Sequence, residues 1–213
     1  MLRLYDYLPS QNAWKVRCLL NHLGQPYERT IVSIFEGESR TEPFLARNPV
    51  GAVPVLELES GESIAESNAI LSYLAEGTAY LPGDRLARAT VMQWLFFEQS
   101  YVEPQIGSLR YWTLTGKLAR RAPELIEGKR AYGLRALAAL ERHLAAREFL
   151  ADGIYSIADI AVFAYAGLAA EAGFDLTPYP AFGAWCRRVR AQPGFLAEMH
   201  PYAIDPHATK ELG

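Results

Sequence analysis

The sequence predicts an α/β domain followed by an all-α domain. In the first third of the chain, short apolar runs with the period of a strand alternate with segments that have the period of a helix. From Arg85 onward only helical periods occur. Between the two regions, the stretch GTAYLPGD is rich in turn-forming residues and lacks an apolar period, which is typical of a linker. We therefore predict one domain at residues 1–77 and a helical domain at residues 84–213.

The first domain is predicted to contain a β-α-β unit followed by a hairpin and a helix. LRLYD alternates apolar and polar residues like a strand, and Val16 and Leu20 share a helical face that ends before Gly24. YERTIV predicts a second strand, which is parallel to the first because a helix connects them. A short helix around residues 41–47, the strands VPVLEL and ESIA, and a helix from Ser67 complete the order β-α-β-(α)-β-β-α.

The second domain is predicted to consist of helices alone. Helical periods occur over residues 85–112, 123–146, 157–171 and 178–191. Just before the third of these helices, Ser156 and Asp159 stand three residues apart, a spacing that resembles a capping box. Such a box is expected to stabilise one helix start by about 1 kcal/mol without contacting a ligand.

Charge and hydropathy exclude several classes of partner. The 213 residues carry a formal net charge of −3, so we expect no nucleic acid partner and no attraction to anionic lipid. The longest uncharged apolar run, residues 160–170, is well short of the roughly 20 residues that a membrane span requires. The first ten residues, MLRLYDYLPS, lack an apolar signal core, and we expect a cytoplasmic protein.

The spacing of the cysteines and histidines predicts neither a metal site nor a disulfide framework. Cys18 and Cys186 lie far apart in the sequence, which favours two reduced, buried thiols over a disulfide framework. The four histidines do not have the spacing of metal ligands: His22, His143, His200 and His207. The sequence therefore predicts no metal site.

The stretch NPVGAVPVLELESGESIAESNAI carries the residues of a candidate binding site. Pro54 stands at the first position of a predicted strand, where its missing N–H breaks no ladder bond. The backbone of Val53 could then pair with an extended peptide. Ser67 opens a helix whose free amides favour a carboxylate, and Glu66 beside it suits an ammonium group. The pattern predicts a ligand with a peptide backbone and an amino-acid head group.

NPVGAVPVLEL and ESNAI resemble the glutathione-binding signature of cytosolic glutathione transferases, and GIYSIADI resembles the capping motif of their helical domain. The resemblance covers the whole chain. It implies a thioredoxin-like first domain, glutathione as co-substrate and a homodimer. It also implies that Pro54 is cis, that Val53 pairs with the cysteinyl backbone of glutathione, and that Glu66 and Ser67 hold the γ-glutamyl group.

The residues that would activate the thiol follow from the same resemblance. Ser10 stands where serine-type transferases of the theta-like and zeta-like classes carry their activating hydroxyl. Asn12 matches a Thr/Ser-x-Asn turn of some bacterial, nu-like members. Two alternatives remain open. Ser10 and Asn12 could only cap the first helix, or Tyr5 or Tyr7 could activate the thiol, as a strand-end tyrosine does in other branches of the family.

One expected ligand of glutathione is replaced in this sequence. Several relatives carry a lysine before the valine to hold the glycyl carboxylate, whereas this chain has Ala52. Ser39 and Arg40, in the polar stretch GESR, are the candidates to replace it. The alternative is that this stretch is a solvated loop.

The resemblance implies a transferase that attacks a small apolar electrophile with the glutathione thiol. A glutathione-dependent peroxidase or disulfide reductase is the first alternative, and a non-catalytic glutathione-binding regulatory module is the second. For the homodimer, the first long helix of the second domain would lie beside its partner. Val91, Trp94 and Leu95 are the apolar residues expected at that surface.

Overall fold

The computed structural model describes residues 1–151 and 153–211. The chain forms two compact units, Met1–Ala75 together with Pro193–Gly213, and Glu76–Gln192. Residues 152, 212 and 213, which the sequence analysis assigned to the helical domain, lie outside the described residues. Within the described part of the chain, no helix has both the length and the apolar character that a membrane span needs.

The first unit is built on a four-stranded sheet of β1 (Leu2–Asp6), β2 (Tyr27–Ile31), β3 (Val55–Glu57) and β4 (Ser63–Ala65). The strand order is β2-β1-β3-β4. Strand β1 pairs in parallel with β2 and antiparallel with β3, and β3 pairs antiparallel with β4. The predicted parallel pair and the predicted hairpin are therefore both confirmed.

Three helices complete the predicted order of the first unit: α1 (Gln11–Leu23), α2 (Glu42–Leu45) and α3 (Ser67–Ala75). The core lies between the sheet and the helices α1 and α3, where the apolar faces predicted from their periods meet. Its fully buried members are Leu4, Val16, Leu20, Leu56 and Ile70. This arrangement confirms the α/β, thioredoxin-like first domain.

The C-terminal segment from Pro193 packs on α1, whereas the predicted boundaries of 84–213 include it in the helical domain. The Trp14 indole N–H donates to the carbonyl of Leu196 at 3.1 Å, and the Phe195 ring lies 5.7 Å from the Trp14 ring. The Asn21 amide donates to the carbonyl of Gly194 at 2.9 Å. The segment has neither a strand nor a helix period, so its sequence gives no signal for these contacts.

The regular elements of the second unit are all helices in its described residues, apart from one isolated β-bridge between Ala151 and Ile154, which confirms the all-α domain. A π-helix, Glu98–Gly107, joins its first two α-helices without a break. The helices are α4 (Arg85–Phe97), α5 (Ser108–Leu114), α6 (Pro123–Leu144), α7 (Ile157–Ala166) and α8 (Pro180–Arg190).

Helix α7 is shorter than the range 157–171 that its period predicted. The helix ends at Ala166, and a short 3-10 helix, Ala169–Ala172, follows. At Gly167 an added Cβ would lie 2.6 Å from the ring of Phe163. The packing of this ring requires glycine there, and the apolar period alone could not locate the end of the helix.

The prediction that Val91, Trp94 and Leu95 offer an apolar surface to a partner is wrong. All three side chains are buried, and the Trp94 ring packs against Phe97 and His143 of its own unit. Helix α4 has one apolar stripe that faces the core and further apolar residues on its exposed side. The apolar period alone does not show which of the two sets is buried. The large apolar side chains that are exposed here are Leu86, Phe96 and Tyr101.

The capping box of α7 is confirmed, and its carboxylate contacts more of the chain than a helix cap requires. Asp159 accepts hydrogen bonds from the backbone N–H of Ser156 and of Leu150, both at 3.0 Å. It also accepts one from the Trp185 indole on α8, at 2.8 Å. Asp159 is fully buried, and this burial raises its pKa from 3.8 to about 6.

We expect the stability of the helical unit to depend on pH through Asp159. Because folding raises the Asp159 pKa, the folded state binds a proton that the unfolded state releases between about pH 4 and 6. The favourable contribution is complete below pH 4 and is lost as the pH rises through 6. Relative to Asp159→Asn, the wild type should gain about 1 kcal/mol in free energy of unfolding between pH 7 and pH 5.

The measurement is urea unfolding followed by circular dichroism at both pH values. Glu148→Gln is the matched control because Glu148 is an exposed carboxylate of the same unit. Its stability difference from the wild type should stay constant. A difference between wild type and Asp159→Asn that does not change with pH would contradict the expected proton uptake.

Candidate functional site

The turn between β1 and α1 places Ser10 at the N-cap of the helix. The Ser10 N–H donates to the carbonyl of Tyr7 at 2.8 Å, which closes the turn. The Ser10 hydroxyl oxygen accepts from the N–H of Ala13 at 3.2 Å. A hydroxyl that accepts in this way keeps its own O–H for donation. The capping role and the predicted catalytic role of Ser10 are therefore compatible.

Both tyrosines that could compete with Ser10 donate their hydroxyls to carboxylates. Tyr5 donates to Glu57 on β3 at 3.0 Å, and Tyr7 donates to Asp205 in the C-terminal segment, also at 3.0 Å. Both tyrosine rings are buried. A tyrosine engaged in this way must give up a charge-assisted hydrogen bond before it can donate to a thiolate. This arrangement favours Ser10 over either tyrosine.

The structure brings together two predicted site residues that are far apart in the sequence. Ser67, the first residue of α3, donates its hydroxyl to Oδ1 of Asn12 at 3.2 Å. Ser67 is 3% exposed, and Asn12 lies in the first turn of α1. The N-termini of α1 and α3 therefore meet at one place, which favours anions because both helices direct their positive dipole ends toward it.

A lysine that the sequence analysis did not select lies between these two residues. The Lys15 side chain is 0% exposed, and its Nζ lies 2.8 Å from Oδ1 of Asn12 and 3.3 Å from Oγ of Ser67. Lysine is almost never fully buried, so the residue type pointed to the surface. The spacing of the residues could have indicated its burial, because Asn12, Lys15 and the buried Leu19 lie on one face of α1.

Glu66 precedes α3 with a backbone conformation that is rare for a side chain of its kind. Its φ angle is 67°, in the left-handed region. Its carbonyl accepts from the N–H of Ile70 at 2.9 Å and so begins the helix. A residue other than glycine pays roughly 1 to 3 kcal/mol for such a conformation, and this strain is concentrated at functional sites. The Glu66 side chain is exposed, as an ammonium-binding carboxylate must be.

The Val53–Pro54 peptide bond is cis, as predicted. Pro54 is buried, and β3 begins at the next residue, Val55. Val53 itself is half-buried, and among the described residues its N–H and C=O form no backbone hydrogen bond. Val53 therefore has the backbone groups that strand addition by an extended ligand requires.

Ser39 and Arg40 belong to a structured turn. They lie on a short 3-10 helix, Glu38–Arg40, in which Ser39 is buried and Arg40 exposed. The Arg40 guanidinium donates to the carbonyl of Val50 at 2.7 Å. Gly51 allows this approach, because an added Cβ would lie 2.7 Å from Nη1 of Arg40. The loop before Val53 thus holds Arg40, while the predicted contact of Ser39 and Arg40 with a ligand stays a prediction.

The cysteines of the chain are not suited to nucleophilic chemistry. Cys18, on α1, is fully buried, and this burial raises its thiol pKa to about 12. Cys186 is also buried, and its thiol pKa is raised to about 12 for the same reason. Both thiols are therefore protonated at neutral pH. Among the described residues, no group of three His, Cys, Asp or Glu side chains could hold a metal ion.

The chain matches two domain models of one enzyme family. The model for the N-terminal domain of glutathione S-transferase matches residues 4–79, and the model for the C-terminal domain matches residues 123–188. The disulfide-bond oxidoreductase YfcG of Escherichia coli (strain K12) is 30% identical over 200 residues, which are 91% of this chain and 92% of that protein.

Solved structures of the same family have the same fold. The crystal structure of a glutathione S-transferase from Pseudomonas fluorescens Pf-5 is 43% identical and has a TM-score of 0.88, covering 92% of this chain and 97% of the other. The glutathione transferase URE2P6 from Phanerochaete chrysosporium, in complex with oxidised glutathione, is 29% identical and has a TM-score of 0.82, covering 91% and 92%. The domain models, sequence identity and fold agree: the chain belongs to the glutathione S-transferase family.

Proposed function

We propose that this enzyme binds glutathione at the N-termini of α1 and α3, ionises its thiol and attacks a small apolar electrophile with it. The observation that carries the proposal is the contact between Asn12 and Ser67, which unites the two halves of the predicted site. The complex of the P. chrysosporium relative with oxidised glutathione supports glutathione as the co-substrate. Detoxification of such electrophiles is the biological role that this chemistry suits.

Each proposed binding group contacts a different part of glutathione. The Val53 backbone, held by the cis Pro54, pairs with the cysteinyl backbone of glutathione. Ser67 and the first amides of α3 bind the γ-glutamyl carboxylate, and Glu66 binds the γ-glutamyl ammonium. These groups follow one another along the chain, and the exposed Glu66 and half-buried Val53 are accessible to a ligand.

The glycyl carboxylate is assigned to Ser39 and Arg40. The Arg40 guanidinium lies at the carbonyl of Val50, near Val53 in the chain. A guanidinium suits a carboxylate because it can donate two parallel hydrogen bonds. This assignment supplies the positive charge that Ala52 does not.

The proposed chemistry is the ionisation of a thiol followed by nucleophilic attack. A free thiol has a pKa near ~8.5, so only a few per cent is thiolate at neutral pH. The Ser10 hydroxyl donates to the sulfur, and the dipole of α1 favours its negative charge. The thiol proton leaves to solvent, and the thiolate forms a carbon–sulfur bond to the second substrate. In a substitution the leaving group departs with the electron pair of its bond to that carbon, and in an addition the π pair moves to the neighbouring atom, which takes a proton from solvent.

Reduction of disulfides is a second candidate function because the E. coli relative is named a disulfide-bond oxidoreductase. The buried Cys18 and Cys186 cannot supply the attacking thiolate. Glutathione would then attack the disulfide, forming a mixed disulfide and releasing one thiolate. A second glutathione would complete the reduction and leave as oxidised glutathione. A peroxidase reaction would require the same activated thiol.

Calorimetric titration with glutathione tests the proposal as a whole. We expect saturable binding with one site per chain. No detectable heat with millimolar glutathione would reject the transferase, the reductase and the non-catalytic binding module together. Binding without ionisation of the thiol would favour the non-catalytic module.

We also propose a cytoplasmic homodimer with no nucleic acid or membrane partner. Phe96 and Tyr101 are 66% and 58% exposed in the isolated chain, and they are candidates for the dimer interface in place of the buried residues predicted first. Light scattering at micromolar concentration should give twice the mass of one chain. A Phe96→Glu variant should shift this mass toward the monomer, whereas a monomeric wild type would reject the dimer.

Ser67→Ala should weaken glutathione binding about tenfold or more. The variant loses a hydrogen bond to a charged group, worth about 1.5 to 3 kcal/mol. Ser72→Ala is the matched control because Ser72 is on the same helix and its hydroxyl donates to the carbonyl of Asn68. Titration calorimetry of both variants measures the effect. Equal affinities in Ser67→Ala and the wild type would remove Ser67 from the site.

Ser10→Ala should raise the pKa of the bound glutathione thiol by roughly one to two units while changing its affinity little. Asn12→Ala should cause a smaller shift of the same sign. Thiolate absorbance of the complex against pH measures both. Ser10→Thr keeps the hydroxyl and the cap and should behave like the wild type. An unshifted titration in Ser10→Ala, with a large shift in Tyr7→Phe, would transfer the role to Tyr7.

A further inference from the structure

The buried ammonium of Lys15 is unusual for an α/β core and is placed at the proposed site. Lys15 is 0% exposed, and burial of an ammonium group is costly unless hydrogen bonds compensate for lost water. Arg17, two residues later, is buried as well, and it pairs with Asp6 on β1 at 2.5 Å. The Lys15 ammonium lies against the side chains of Asn12 and Ser67.

The three side chains form a closed triangle of hydrogen bonds. Lys15 donates to Oδ1 of Asn12 at 2.8 Å and to Oγ of Ser67 at 3.3 Å. The Ser67 hydroxyl donates to the same Oδ1 at 3.2 Å. With its carbonyl oxygen fixed by two donors, Asn12 can adopt only the amide orientation that directs its NH2 away from the ammonium.

We propose that Lys15 is a positioning residue of the glutathione site, which couples the end that activates the thiol to the end that binds the γ-glutamyl carboxylate. The inference rests on the proposed function. Asn12 belongs to the thiol end and Ser67 to the γ-glutamyl end, and the Lys15 ammonium is hydrogen-bonded to both.

The coupling follows from hydrogen-bond satisfaction when the ligand arrives. To bind a carboxylate, the Ser67 hydroxyl must turn its proton away from Oδ1 of Asn12. Without Lys15 that oxygen, on a half-buried side chain, would lose both of the hydrogen bonds that it accepts from Lys15 and Ser67, which is unfavourable. The ammonium keeps it satisfied, so Ser67 is released to the ligand while Asn12 stays in place.

The charge of Lys15 acts in the same direction. The ammonium lies where the N-termini of α1 and α3 meet, and its charge has the same sign as the two dipole ends there. Glutathione brings two negative groups to this region, its γ-glutamyl carboxylate and, once ionised, its thiolate. A neutral side chain at position 15 would remove the attraction for both.

Lys15→Met tests the inference, since methionine has a similar length and neither charge nor N–H donors. We expect about tenfold weaker glutathione binding and a bound thiol pKa raised by about one unit. Lys15→Arg keeps a positive charge and N–H donors, so its glutathione affinity and its bound thiol pKa should both stay close to those of the wild type. Calorimetry and thiolate absorbance measure them, and thermal unfolding without ligand shows that each variant is folded.

A double-mutant cycle with Ser67→Ala separates positioning from a merely structural role. If Lys15 releases Ser67 to the ligand, Ser67→Ala should cost several-fold less affinity in the Lys15→Met background than in the wild type. Additive losses, or a folded Lys15→Met with wild-type affinity and thiol pKa, would overturn the inference. If Lys15→Met does not fold, Lys15→Gln is measured against the same expectations.

The wild-type titration distinguishes failure of this inference from failure of the proposed function. No binding of glutathione by the wild type rejects the function and the inference with it. Normal binding by the wild type together with an unaffected Lys15→Met rejects the inference alone.

Discussion

The burial of α1 is the constraint on which the rest of the first unit depends. From Ala13 to Leu20 every residue of the helix is buried, with the sheet and α3 sharing its apolar core and the C-terminal segment bonded to Trp14. A helix held along this length cannot shift or rotate without breaking the core. The Ser10 cap fixes where the helix begins. These two restraints, the packing of α1 and its Ser10 cap, fix the positions of Asn12 and Lys15.

Most of the fold follows from local patterns in the sequence, and the exceptions are features that depend on distant contacts. The order of strands and helices is encoded in apolar periods, and the parallel pair follows from the chirality of its connection. The π-helix Glu98–Gly107 has no such signal, although it contains Pro104, whose missing N–H disturbs an α-helical ladder. The packing of the segment from Pro193 on α1 is likewise a long-range property.

The candidate site likewise contains residues that local sequence patterns predict and residues that only long-range contacts reveal. Val53, Glu66 and Ser67 could be selected from sequence because each stands at a helix start or strand start, whereas Ser10 was selected from the resemblance to serine-type transferases. Lys15 could not be selected by its type, since an isolated lysine is expected in solvent. The pairing of Tyr7 with Asp205 joins residues 198 positions apart, and no local pattern predicts it. Geometry therefore added residues in contact with the candidate site, while the sequence and the resemblance identified those expected to contact the ligand.

The discontinuous first unit has a consequence for the order in which the chain can fold during synthesis. Translation proceeds from the N-terminus at about 5 to 20 residues per second, and domains generally fold as they emerge. The strands and helices up to Ala75 emerge first, but the segment from Pro193 emerges only after the whole of Glu76–Gln192. Until then the Trp14 indole lacks its carbonyl acceptor, and the Tyr7 hydroxyl lacks Asp205. On the ribosome, the contacts that join the start of α1 to the C-terminal segment therefore cannot form until the whole of Glu76–Gln192 has been synthesised.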